Sequence, residues 1–127
     1  MKVFLRVLIL VALGLAFFSF YITRDGEFFT PKGEGEVNLN SGTYEAFPLP
    51  DYARELIGQN YKSYFIEVEP GLKVHVLEIG EGYPFFLMHG NPTSGFLYRK
   101  VVENLPLDKV RVILPTSLGL GFSSKIP

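Results

Sequence analysis

The chain has 127 residues, a formal net charge of -1 and no cysteine. That length allows one modest domain, the near-neutral charge argues against a general nucleic-acid binder, and the missing thiols exclude disulfides, thiolate metal sites and a cysteine nucleophile. His75 and His89 are its only imidazoles, and no His, Asp and Glu spacing matches a metal site, so neither a metal nor a cofactor is expected.

Lys2 and Arg6 open the chain, and an apolar run follows from Val7 to Ile22 with Ser19 as its one small polar residue. Sixteen helical residues span about 24 Å; Val3 to Leu5 and a snorkelling Arg6 extend this toward the roughly 30 Å hydrocarbon core. Tyr21 suits the interface at the far end. Gly14 and Ala16 offer the small residues of a signal-peptide cleavage site, but the apolar run continues six residues beyond Ala16. The expectation is therefore an uncleaved signal anchor over residues 1–23, contacting the membrane through residues 3–22. Its basic start places the C-terminal part outside the cytoplasm; the alternative is a secreted or periplasmic protein after cleavage.

Residues 24–62 are predicted as a linker with one short helix. The stretch is rich in glycine and proline and lacks sustained periodicity. Between Arg24 and Gly82 eleven acidic and five basic residues suggest a solvated acidic face. Gly-Glu-Gly occurs at 33–35 and 80–82, without the third glycine or the following helix of a phosphate loop. Pro50 and Asp51 begin the short helix and Gly58 stops it.

From Ser63 the pattern has period two. Tyr64, Ile66 and Val68 alternate with Phe65, Glu67 and Glu69, and Leu72, Val74 and Val76 alternate with Lys73, His75 and Leu77. Pro70-Gly71 fits a type II turn, so the two runs predict an antiparallel hairpin, with His75 half-exposed on its wetter face. "FFLM" at 85–88 is apolar at every position, as a strand buried on both faces would be. Leu97, Val101 and Leu105 recur every four residues beside Tyr98 and Val102, which predicts an amphipathic helix capped by Thr93 or Ser94 and closed by Pro106. Residues 109–115, "KVRVILP", form the next strand. The fold class is α/β: a β-hairpin leading into a parallel β-α-β unit over residues 63–127.

Reactive crevices of open α/β sheets lie at the carboxyl ends of the strands. "HGNPTS" and "TSLGLGFSS" occupy two such ends. Pro92 biases Asn91 toward extended backbone, which frees its N–H to point into the crevice, and Gly90 permits close backbone approach. A backbone donor fixed there stabilises developing negative charge. A plain strand-to-helix turn is the competing reading.

Residues 64–127 resemble the opening of an α/β-hydrolase domain, most closely the haloalkane dehalogenase and epoxide hydrolase branch. The resemblance is carried by Gly80-Glu81-Gly82-Tyr83-Pro84, His89-Gly90-Asn91-Pro92-Thr93-Ser94, Phe96-Leu97-Tyr98-Arg99-Lys100 and Gly119-Leu120-Gly121-Phe122-Ser123-Ser124-Lys125. It implies that the Asn91 N–H is an oxyanion-hole donor, that the Asn91 side chain binds halide, and that His89 and Gly90 support the loop. Hydrolysis of carbon–halogen bonds in a small-molecule substrate, through an alkyl-enzyme ester, is the activity implied. One departure is Pro115-Thr116-Ser117, where the family usually has Pro-Asp.

No five-residue window fits Gly-x-Ser-x-Gly or Gly-x-Asp-x-Gly, so the nucleophile elbow is missing, as are the late acid and histidine. The expectation is the N-terminal portion of an exported, membrane-anchored hydrolase, inactive as this stretch alone. In the family the 85–88 strand pairs with the elbow strand; unpartnered, it would leave an apolar edge. A serine esterase or epoxide hydrolase on the same fold, and a non-catalytic small membrane protein, are the alternatives.

Overall fold

A computed structural model describes residues 14–15 and 29–126. Six strands form one sheet in the order β1-β2-β3-β4-β6-β5. They are β1 (Glu36–Leu39), β2 (Gly42–Ala46), β3 (Lys62–Glu69), β4 (Leu72–Gly80), β5 (Tyr83–Phe86) and β6 (Val110–Pro115). Every pairing is antiparallel except β5 with β6, which is parallel. Helix α1 (Asp51–Ile57) precedes β3, and a 3-10 turn (Gly95–Tyr98) runs into helix α2 (Arg99–Val102) between β5 and β6.

The β3–β4 hairpin follows the period-two pattern. Its turn falls at Pro70-Gly71, with Gly71 at φ 81, a left-handed angle that glycine adopts at no steric cost. One sheet face packs Leu77, Val112 and Leu114 against Ala53 of α1, Val102 of α2 and Leu49. On the opposite face Tyr64 stacks near Tyr44 of β2, ring centroids 5.1 Å apart, and its hydroxyl donates to the buried carboxylate of Glu78 at 2.8 Å. Burial, reinforced by that carboxylate, pushes the Tyr64 phenol well above its ordinary pKa.

Four sequence expectations differ from this fold. The 24–62 region holds strands β1 and β2, and β2 joins the sheet through Glu45 opposite Phe65 and Ala46 opposite Tyr64. The four- and five-residue strands are too short for periodicity to reveal; pairing defines them. His75 is fully buried, not half-exposed. It shares a face with Leu77, and on that face Phe47, Phe65, Phe96 and Phe122 pack around it. Within 95–102 Gly95 and Val102 are buried and Phe96 and Tyr98 partly so, whereas Leu97 and Val101 are about half exposed. A 3-10 turn has three residues per turn, so it rotates the face away from an i, i+4 stripe. Finally, residues 85–88 are not buried on both faces: Phe85, Phe86 and Met88 are exposed and β5 is the sheet's edge.

Among the described residues no helix is long and apolar enough to cross a membrane. The anchor expected at 1–23 lies outside the described residues apart from Gly14 and Leu15, which are helical.

Candidate active-site loops

The loop after β5 and the loop after β6 leave the sheet side by side. The Leu87 N–H donates to Ile113 O at 3.0 Å and continues the parallel ladder one residue past β5. His89 is then buried at the junction. Its Nε2 accepts the Ser117 N–H at 3.0 Å, and its Nδ1 lies 2.9 Å from Gly90 O. An acceptor role at Nε2 requires the proton on Nδ1, which donates to that carbonyl; the ring is neutral and both nitrogens are engaged. The Gly90 carbonyl also accepts from Thr93 N–H at 3.0 Å and from Thr93 Oγ1 at 2.5 Å. Thr93 therefore closes the turn on Gly90 and does not cap the following helix, and Ser94 makes no capping hydrogen bond either.

At the tip the Asn91–Pro92 peptide is cis and Asn91 is exposed. Among the described residues no acceptor takes the Asn91 N–H. Nothing lies within 4 Å of where a Gly90 side chain would begin, so the backbone there faces open space. Downstream, Gly95 passes so close to β6 that a Cβ would sit 2.9 Å from Leu114 O, and its N–H donates to Thr116 Oγ1 at 3.1 Å. Thr116 is the position where the resemblance led to an aspartate; its hydroxyl ties the two loops together without a charge.

The loop after β6 is bolted to β4 by two serines to which the sequence reading assigned no role. Thr116 N–H donates to His75 O at 2.8 Å; Ser123 Oγ accepts from His75 N–H at 2.9 Å and donates to Thr116 O at 2.6 Å. Ser124 repeats the arrangement on Lys73, its N–H donating to Lys73 O and its Oγ accepting from Lys73 N–H, each at 2.9 Å. Both serines are fully buried, and their adjacency after a glycine-rich turn was the one available signal. They extend the edge of β4 beyond the end of β6, so the 116–124 loop is a continuation of the sheet.

Beneath these loops His75 sits among Phe47, Phe65, Phe96 and Phe122, with centroids 4.9 to 6.5 Å apart across the cluster. Its Nε2 lies 2.9 Å from Ser63 Oγ and its Nδ1 is buried without a partner. Burial alone lowers its pKa to about 3, so it is a neutral packing residue. Among the described residues no cluster of three or more His, Asp or Glu could hold a metal.

No family model matches the chain. Over 78 residues it is 32% identical to a haloalkane dehalogenase of Mycobacterium marinum, covering 57% of this chain and 26% of that protein. It is 34% identical over 70 residues to a cis-3-alkyl-4-alkyloxetan-2-one decarboxylase of Xanthomonas campestris, covering 54% of this chain and 23% of the relative. The solved haloalkane dehalogenase DatA of Agrobacterium tumefaciens superposes with a TM-score of 0.51 at 35% identity, covering 57% of this chain and 24% of DatA. The chain carries part of an α/β-hydrolase fold. It spans about a quarter of the length of these relatives, and the hydrolase-type sheet places the His89–Thr93 and Thr116–Ser124 loops together at one strand end.

Proposed function

We propose that this chain supplies the charge-stabilising half of a haloalkane dehalogenase-like site, held outside the cytoplasm by a membrane anchor at residues 3–22. The nucleophile, acid and base then come from sequence beyond these 127 residues. One observation carries the reading: His89 and Thr93 are both tied to the Gly90 carbonyl, while among the described residues nothing takes the Asn91 N–H or side chain, which are exposed at the rim. A donor held by its surroundings and not spent on them is the requirement for stabilising charge that appears only during reaction.

In the completed reaction an aspartate oxygen attacks the carbon bearing the halogen, the carbon–halogen bond breaks, and halide leaves with the electron pair toward the Asn91 side chain. Water gives a proton to a histidine and adds to the ester carbonyl; the Asn91 N–H stabilises the resulting oxyanion, whose collapse breaks the ester C–O bond, releases the alcohol with that proton and restores the aspartate. His89 acts through Asn91, as a positioning residue with both nitrogens engaged. The test is to express the coding region continued past codon 127 and measure halide release from short haloalkanes. Release is expected, with Asn91→Ala lowering it by about 10²-fold; no halide from any haloalkane removes the reading. The similarity to the oxetanone decarboxylase favours a second reading, an ester, epoxide or strained lactone as substrate on the same scaffold. A serine at the continued chain's elbow and cleavage of a chromogenic ester would select it.

A further inference from the structure

We propose that the end of the sheet bearing the two site loops rests against a lipid bilayer, and that the apolar cleft beside those loops is its contact surface. This rests on the membrane-anchor reading above and adds to it an orientation.

The path of the chain limits the orientation. Phe29 forms an antiparallel bridge with Lys125, whose N–H donates to Phe29 O at 2.9 Å, and Thr30 Oγ1 donates to Gly71 O at 2.6 Å. These contacts lie at the start of β4, the end where Val76 pairs with Pro115 and Thr116 bonds to His75. The opposite end of β4 lies beside the β1–β2 turn, where Asn38, Glu78 and Gly80 line one cavity. Six residues separate Ile22 from Phe29. Fully extended they reach about 24 Å, less than the about 27 Å length of β4. An anchor ending at Ile22 therefore keeps Phe29, and the site loops at its end of the sheet, within about 24 Å of the membrane and excludes a fully inverted domain.

The surface at that end has interfacial chemistry. Bridge partners project their side chains from the same face, so Phe29 lies beside Lys125, and the Lys125 ammonium reaches Gly121 O at 2.6 Å. Gly121 lines a cleft of about 240 Å³ together with Phe96, Phe122, and Tyr52 and Leu56 of α1. Phe29, Tyr52 and Leu56 are 66%, 65% and 54% exposed. Aromatic and aliphatic side chains around a lysine that keeps its head near polar groups match the headgroup–acyl boundary.

The absence of cysteine permits a direct test on the full chain reconstituted in phosphatidylcholine vesicles. Single cysteines introduced by Leu56→Cys and Asn38→Cys carry an environment-sensitive fluorophore, and the lipid carries a headgroup nitroxide. Quenching at position 56 should exceed that at 38 by about threefold, as expected for a probe at the interface against one in water. Adding Tyr52→Glu, at an exposed position, should bring quenching at 56 down to the level at 38. Equal quenching at both positions in a chain that resists carbonate extraction overturns the docking and leaves the anchor standing. Release of the chain by carbonate overturns the anchor, and the docking with it.

Discussion

Strands β5 and β6 are hydrogen-bonded neighbours of comparable apolarity, yet Val112 and Leu114 of β6 are sealed from solvent while Tyr83 and Phe86 of β5 are 83% and 59% exposed. The difference lies in what surrounds them. Strand β6 has β4 on one side and β5 on the other, with α1 and α2 over the face that carries Val112 and Leu114. Strand β5 has one neighbour, a free edge, and neither face covered. Apolar sequence states that burial would be favourable; only a partner surface makes burial happen.

That contrast can be broken by mutation. Leu114→Ala or Leu77→Ala should cost about 3 kcal/mol through lost packing and a residual cavity, read as a lower urea midpoint, whereas Phe85→Ala should cost under about 1 kcal/mol. Equal losses at 85 and 114 would mean that β5 is covered in solution. Gly80→Ala tests the bend between the two regions. At φ 86 its new Cβ would meet Val110 O, and a cost of about 2 kcal/mol is expected.

His75 tests the covered region by pH. Its folded pKa of about 3 lies below the ordinary histidine value, so between these two pKa values the unfolded chain binds more protons than the folded one. Stability is therefore full above pH 6.5 and falls on acidification toward pH 3, by up to about 1.4 kcal/mol per pH unit. In His75→Leu the same titration should be flatter in urea melts from pH 7 to 4. The smallest effect belongs to the open edge. Phe86→Lys should change stability by less than about 0.5 kcal/mol while reducing self-association in sedimentation experiments.

Much of the site region was legible because its signals are local. The period-two alternation around Pro70-Gly71, the Pro50-to-Gly58 helix and the positions of the His89 and Thr116 loops at strand ends each depend on residues close in sequence. The hairpin of β1 and β2 was hidden because β2 is held in the sheet by pairing with β3, more than fifteen residues away, and β1 by pairing with β2, and not by any pattern of their own. The serine bolt was hidden for a related reason. Ser123 and Ser124 look like surface residues until the edge of β4, some fifty residues earlier in the chain, is brought beside them.

By itself the sequence determined the α/β class, the parallel strand–helix–strand unit, the neighbourhood of His89, Gly90 and Asn91, and the lack of an elbow nucleophile, because residue type and spacing suffice for each. Tertiary structure alone decided that His75 is core and that the Thr116 hydroxyl ties the two loops together. Burial and hydrogen-bond satisfaction are relations between distant segments, and no window of sequence contains both partners.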